Sequence, residues 1–335
     1  MTLEELIQSN DRSQLELLAL QNPVFGIDTN TVRDRIQARL ALFHESYGAI
    51  VECCTALKLS PSIETIWNLW LPLAMHIATW RQAKQHCLIQ GFLGGQGTGK
   101  TTLTKMLSII LKQMSYEAVS WSLDDLYLPY VDRVALRTRD PRMVRRGPPG
   151  MHDVQLGIEV LTQFQQGNFP IALPRFDKSA YAGEGDRINA EWIEHADIVL
   201  FEGWFVGVRP IVSQFDIAPI VTEDDRQFAR DMNEQLRNYL PLWELLDRLV
   251  VLYVPDYRLT KQWRKQAEHQ MMAQGKAGMS DPEIDQFVEY FWKALHPELF
   301  ITPMVERSNN VDLILEIGSE HTVRAIHTDC ISVKF

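Results

Sequence analysis

The chain has 335 residues, 46% apolar and 23% charged, and a formal net charge of −10 from 43 acidic against 33 basic side chains. That length allows one large domain with additions or two domains, and its core needs no disulfide or metal to hold it. The acidic balance argues against a nucleic-acid partner, whose binders usually carry a basic face.

The first residues, MTLEELIQSNDRSQ, are acidic and lack the apolar core of a secretory or transit peptide. Residues 1–86 read as an α-helical N-terminal extension packed on the main domain. TVRDRIQARLALFHESYGAIVECCTALKL spaces its apolar residues at helical intervals, and SIETIWNLWLPLAMHIATWRQAKQ opens on a Ser/Glu cap signal. The most membrane-like run, Ile66 to Trp80, is too short to span a bilayer and contains Asn68, Pro72 and His76. A buried helix kinked at its proline is expected there, and no membrane partner. Cys53, Cys54, Cys87 and Cys330 show no CxxC or Cys/His metal spacing. Reduced thiols in a cytoplasmic protein are the expectation.

From Cys87 onward, short apolar runs alternate with helical stretches: CLIQGFL, AVSWSL, IALPRF, IVLFEG, LVVLYV and VDLILEI. Unbroken apolar runs between helices are what a parallel sheet buried on both faces requires. The expected fold of residues 87–335 is therefore a doubly wound α/β domain, with a mainly parallel sheet and helices on both faces. Its ligands should sit beyond the C-terminal ends of the strands.

Directly after the first of these strands, Gly94 to Thr101 reads GGQGTGKT, which matches G-x-x-x-x-G-K-[ST]. The glycines let backbone N–H groups turn inward and approach phosphates closely. Lys100 can reach the β- and γ-phosphates of a nucleotide, and Thr101 offers a hydroxyl to Mg²⁺. The amphipathic stretch KTTLTKMLSIILKQM follows, and the positive N-terminal end of such a helix favours an anion. Gly94, Gly95, Gln96, Gly97, Thr98, Gly99, Lys100, Thr101 and Thr102 form the candidate ATP site.

Two further strand ends carry acids. SWSLDDLYLP places Asp124 and Asp125 where a strand gives out, and DIVLFEGW ends its strand on Glu202. Glu202 stands where a Walker B acid belongs. Two carboxylates at neighbouring strand ends can divide two tasks: one accepts the proton of an attacking hydroxyl, and the other orients Mg²⁺ or its waters. The candidate metal set is Thr101, Asp124 and Glu202. An Asp just after a strand can instead cap a helix. No Asn-Lys-x-Asp base-reading motif of a switch GTPase occurs. A small-molecule kinase fits these features best.

Between these elements, RVALRTRDPRMVRRGPPGMHD gathers six arginines on an acidic chain. Such a local cationic cluster suits a small anionic acceptor. In order, GGQGTGKTT, SLDDLYLP, RGPPGMHD, LPRFDKSAYAGEGDR and VLFEGWFVGVRP make the sequence resemble plant-type D-glycerate 3-kinases. Those are P-loop kinases similar to phosphoribulokinase, uridine kinase and bacterial pantothenate kinase. The likeness runs from about Leu88 to the C-terminus, departs within Phe287 to Val305, and leaves the first 86 residues poorly matched.

The resemblance implies roles for particular residues. Asp124 becomes the general base on the acceptor hydroxyl, and Glu202 lies beside the metal and the acceptor. Asp125 and Tyr127 share that acceptor-facing segment. RGPPGMHD becomes part of the acceptor pocket, with Arg146 the natural bidentate partner of a carboxylate and His152 and Asp153 placed for hydroxyls. Lys178 would add charge near the transferred phosphate, with Arg175, Asp177 and Arg187 close by in sequence. A lid around residues 256–275 would bring Arg264 to the phosphoryl group. The expected reaction is transfer from ATP to D-glycerate, giving 3-phosphoglycerate. A kinase of another small acceptor (pantothenate, a nucleoside or a sugar) is the nearer alternative. A regulatory nucleotide binder that hydrolyses ATP slowly is the farther one.

Overall fold

The computed structural model of the chain describes residues 1–21, 25, 27–273, 278–307, 310–328 and 332–334. Cys330 and the end of the sequence-defined lid, residues 274 and 275, lie outside the described residues.

Among the described residues, nine strands form two sheets. They are β1 (Leu88–Gly94), β2 (Ala118–Ser122), β3 (Ile171–Asp177), β4 (Asp186–Ile193), β5 (Ile198–Gly203), β6 (Arg248–Tyr253), β7 (Leu313–Ile317), β8 (Val323–His327) and β9 (Ser332–Lys334). The main sheet has seven strands in the order β2-β5-β1-β6-β7-β8-β9. Its first five pair in parallel, and β8 and β9 add antiparallel strands at the β7 edge. Side chains alternate across the parallel strands, as the pleat demands. Leu88, Phe92, Ile198, Leu200, Val250 and Leu252 enter one core, while Ile89, Leu93, Val199, Phe201, Leu249 and Val251 enter the other.

One strand departs from the sequence expectation. IALPRF, read as a buried parallel strand, is β3, and it leaves the main sheet to form an antiparallel hairpin with β4. The reason lies in β4, DRINAEWI, whose residues are mostly exposed and polar and carry no apolar-run signal. The hairpin matters because it carries Lys178 in its connecting turn.

The first core joins the N-terminal helices to the phosphate-loop helix Lys100–Gln113. Ile36, Ile50, Leu71, Leu73 and Ile77 are fully buried there, beside Met106, Leu107 and Ile110. Each such burial is worth about 1.5–3 kcal/mol, so removing residues 1–86 would strip one wall from the sheet. The helix around Pro72 widens into a π-helical turn at Ile66–Trp70 before continuing as Leu71–Gln82. A proline has no N–H for the carbonyl four residues back, and a local change of hydrogen-bond register is one way to absorb that. Among the described residues, no helix is long and apolar enough to cross a membrane.

Register fixes where the functional loops emerge. Ser122 of β2 and Phe92 of β1 both pair with Glu202 of β5, and Gly94 pairs with Leu252 of β6. The ends of β2, β5, β1 and β6 therefore share one edge. The phosphate loop, the Asp124 turn and Glu202 all lie along it.

Candidate active site

The phosphate loop bends where its glycines permit. Gly97 and Gly99 take φ of +78° and +85°, the left-handed region that side chains resist. Gly99 then caps the helix Lys100–Gln113, so free N–H groups of the first turn face the loop. The Lys100 ammonium donates to the Gly95 carbonyl at 3.0 Å, which holds it across the loop. Burial lowers its pKa, against the pull of the Glu202 and Asp124 carboxylates. Thr98 is buried and donates to the same Gly95 carbonyl at 2.9 Å. Gln96 borders the adjoining cleft. Thr102 lies one residue beyond Thr101 in the helix's first turn.

The Thr101 hydroxyl donates to Glu202 Oε1 at 3.0 Å, and Glu202 is 8% exposed. A hydroxyl and a carboxylate within hydrogen-bond reach are hard oxygen donors of the kind Mg²⁺ accepts. Among the described residues no group of three or more His, Cys, Asp or Glu is arranged to hold a metal. That donor set still fits Mg²⁺, which usually keeps several waters and is held by one or two carboxylates plus the substrate phosphates.

Asp124 and Asp125 separate cleanly. Both lie in the 3-10 turn Leu123–Leu126 that follows β2. Asp124 Oδ1 accepts the Tyr127 hydroxyl at 2.7 Å, and Oδ2 accepts the Lys178 ammonium at 2.7 Å. Burial alone would raise its pKa, but the Lys178 ammonium and the hydrogen bonds from Lys178 and Tyr127 leave it below the usual carboxylate range. It is therefore ionised at neutral pH. Asp125 faces the other way. Its Oδ1 accepts the Phe176 N–H at 3.1 Å, and its Oδ2 accepts the Ser122 N–H at 3.2 Å and Arg175 at 3.1 Å. Placed in sequence among the acceptor contacts, Asp125 in the structure pins the β3–β4 hairpin to the end of β2.

RGPPGMHD is zipped against the same turn. Leu128 N–H donates to Met151 O at 3.0 Å, and Asp153 N–H to Leu126 O at 2.7 Å. Tyr127 and His152 thus lie side by side, with ring centroids 4.7 Å apart. Burial pushes the His152 pKa down to about 3, so its ring is neutral. Tyr127 is buried, and burial and the Asp124 carboxylate raise its hydroxyl pKa well above the usual value. Asp153, expected to hold a substrate hydroxyl, instead caps the helix Val154–Gln166 by accepting the Leu156 N–H at 3.1 Å. Its other oxygen takes Arg187 at 3.2 Å.

The arginine cluster is mostly structural. Arg133 is 1% exposed and donates to the carbonyls of Leu128, Glu184 and Gly185. Arg137 pairs with Glu184, and Arg142 with Asp140 and Asp231. Arg146 donates to the Gly183 carbonyl and lies over the Phe176 ring, near enough to Tyr127 for its charge to be felt there. Of the charged residues in PRFDKSAYAGEGDR, Lys178 reaches Asp124. Arg175 goes to Asp125 and Glu191, Arg187 to Asp153, and Asp177 to the backbone and hydroxyl of Ser179.

The segment expected to form a lid, residues 256–275, holds the helix Leu259–Met272. Its basic run is tied down: Arg258 to Asp256, Lys261 to Glu289, Lys265 to Asp285 and Arg264 to Glu268 at 2.9 Å. Arg264 also lies over the Phe287 ring. Expected at the phosphoryl group, it is held within its own helix and against the next one. Trp263 and Thr260 instead face the phosphate loop. A Cβ on Gly97 would meet Trp263 Cβ at 3.3 Å, and one on Gly95 would meet Thr260 Cγ2 at 3.4 Å. Trp263 also donates to Ser319 O at 3.0 Å and packs on His321, which meets Gly97 O at 3.1 Å. The family-like stretch WRKQAE begins at Trp263 but points to Arg264 as the functional residue; the spacing of one helical turn between Thr260 and Trp263 is the available signal.

A cleft of about 700 Å³ opens beside the loop, lined by Gly94, Gly95 and Gln96 together with Trp204, Tyr257, Phe291 and Trp292. Its walls are largely apolar, and Asp124, Arg146 and Lys178 are not among them.

A phosphate loop at the end of β1, an acid at the end of the neighbouring β5 and a second acid beyond β2 define a P-loop kinase. No protein-family model matches the chain. It is 34% identical over 227 residues to the chloroplastic D-glycerate 3-kinase of Arabidopsis thaliana, covering 64% of this chain and 48% of that one. The match thus spans about half the length of the plant enzyme. It is 30% identical over 281 residues to the probable ATP-dependent kinase TDA10 of Saccharomyces cerevisiae, covering 77% of this chain and 94% of its relative. Among solved structures, D-glycerate 3-kinase from Cryptococcus neoformans superposes with a TM-score of 0.65 at 25% identity, covering 76% of this chain and 99% of that one. The chain belongs to the P-loop kinase family that contains D-glycerate 3-kinase and these ATP-dependent relatives.

Proposed function

We propose that the protein transfers the γ-phosphoryl group of ATP to a hydroxyl of D-glycerate, giving 3-phosphoglycerate. The observation that carries this reading is the Asp124 carboxylate, held ionised by Lys178 and Tyr127 within the electrostatic reach of Lys100. A nucleotide binder needs no such base. The loop amides and Lys100 would hold the phosphates, and Thr101 and Glu202 would hold Mg²⁺. When bound, Mg²⁺ would supply charge neutralisation on the phosphates.

Asp124 would accept the proton of the attacking hydroxyl. Lys178 and Arg146 give the acceptor side two cations, which suits a carboxylate-bearing alcohol. The field of fixed charges does most of the work, because phosphoryl transfer needs positioning and charge stabilisation more than covalent chemistry. The lid helix, seated on the loop through Trp263 and Thr260, would exclude water that otherwise wastes ATP. Cys53, Cys54 and Cys87 are free thiols, which suits a reducing compartment such as the cytoplasm.

A coupled assay for ADP with D-glycerate, pantothenate, uridine or no acceptor tests the reading. Turnover with glycerate well above the others is expected. Turnover with pantothenate or uridine but not glycerate would overturn the substrate, and hydrolysis that ignores every acceptor would overturn the kinase.

A further inference from the structure

Tyr239 ends the 3-10 turn Leu236–Tyr239, far in sequence from the acceptor segments, and no motif marks it. Its side chain is fully buried. Its hydroxyl oxygen accepts the Gly150 N–H at 2.9 Å and lies 2.8 Å from His152 Nδ1. A tyrosine hydroxyl has one proton to place. Gly150 already donates and cannot receive it. The acceptor within reach is Nδ1, which must then be bare, and the ring proton sits on Nε2. The reverse assignment leaves two donors facing one oxygen and a buried O–H without an acceptor, which costs about 1–3 kcal/mol.

His152 Nε2 is itself buried and has no hydrogen-bond partner among the described residues. Its ring packs beside Tyr127, and the Asp124 charge acts on it. A buried donor in this condition is retained where a ligand or a water completes it. We propose that Tyr239 is a positioning residue that fixes His152 as the Nε2–H tautomer, so that the imidazole donates to an acceptor oxygen beside Asp124. This rests on the kinase reading. It also divides the labour at the acceptor: His152 can only donate there, so Asp124 is left as the group that takes the proton.

The tautomer can be read without any substrate. In the full chain with ¹⁵N-labelled histidine, the His152 ring, identified by its loss in His152→Gln, should show the Nε2–H pattern at neutral pH. The Tyr239→Phe variant should show a mixture of tautomers. An Nδ1–H or doubly protonated ring in the wild type overturns the proposal. Kinetically, Tyr239→Phe should raise the KM for the acceptor about tenfold and leave the KM for ATP in place. A fall in kcat with acceptor KM unchanged would also overturn it. Should Tyr239→Phe fail to fold, His152→Gln and His152→Ala decide the kinetic arm. A glutamine amide can donate from the Nε2 position, so it should keep acceptor KM closer to wild type than alanine does; equal values overturn the proposal. If an acceptor other than glycerate proves active, the kinetics are run with that one. The substrate reading then fails while the wild-type tautomer still decides the role of Tyr239.

Discussion

The phosphate side and the acceptor side of this site are built by different means. The phosphate side, as proposed, is one continuous stretch, Gly94 to Thr102, which would hold its ligand mostly through backbone N–H. The acceptor side is assembled from the Asp124 turn, the segment ending at His152, the hairpin turn with Lys178 and Tyr239. Its side chains hold one another: Lys178 and Tyr127 on Asp124, Tyr239 on His152, Arg146 on the Gly183 carbonyl. A cradle made of backbone tolerates most side-chain changes except at its glycines and its lysine. A wall made of interlocked side chains should transmit each change to its neighbours.

The largest effect expected is on the phosphate side. Lys100→Ala removes the one ammonium held across the loop, and turnover should fall at least about a hundredfold. Steady-state kinetics at saturating ATP measure this, and full activity would show that the loop does not hold the reacting phosphates. Next comes a contrast within one turn. Asp124→Asn should abolish transfer yet leave ATP binding intact, as read by calorimetry. Asp125→Asn should do the opposite, lowering the melting temperature while leaving transfer measurable. Its carboxylate accepts two backbone N–H groups and an arginine, and an amide can satisfy these only in part. If Asp125→Asn abolishes transfer at unchanged stability, the two acids have been assigned the wrong way round.

Lys178→Ala should have a moderate effect with a definite sign. Lys178 helps keep the Asp124 carboxyl below its ordinary range. Without that ammonium the carboxyl pKa rises, because burial is no longer opposed as strongly. A base must be ionised to accept a proton, so activity should fall away at a higher pH than in the wild type. The acid limb of the kcat/KM profile should move upward, with the alkaline limb unmoved. An unchanged acid limb would mean that Asp124 does not report on that limb.

The same division explains what was legible in the sequence. The phosphate loop, the strands that carry it and Glu202 are local signals: a glycine spacing, unbroken apolar runs and an acid at a strand end. They appear where they were read, and the mainly parallel sheet follows from them. Roles that depend on a partner far along the chain were not legible. Asp125 and Asp153 look like acceptor ligands beside Asp124 and His152, but Arg175, the Phe176 N–H and Arg187 claim their oxygens. IALPRF has the composition of a central strand, yet it pairs with the polar strand β4. Tyr239 carries no motif, and Trp263 stands beside the arginine its segment points to; the meaning of both comes from the residues they meet.

Arg264 gives the smallest expected effect and the finest test of the comparison. Its sequence context proposes a phosphoryl contact, a role that would make the lid a third wall of the phosphate side. In the structure it spends its charge on Glu268, one turn away, and its plane on Phe287. Glu268 is buried, so swinging the guanidinium toward the nucleotide would leave its carboxylate without this cation, a larger cost than breaking an exposed i,i+4 pair. If it swings on closure, Arg264→Ala should lower kcat about tenfold or more, as loss of a transition-state cation does. If it stays, it touches no reacting group, and the loss in kcat should be under about threefold even where the melting temperature falls. The contacts seen here favour the smaller loss, because Trp263 and Thr260 already occupy the side of the helix that faces the loop. Paired measurements on Arg264→Ala and Glu268→Gln separate the cases. Under the smaller loss both variants should behave alike, whereas a large effect from Arg264→Ala alone would return the arginine to the phosphate side.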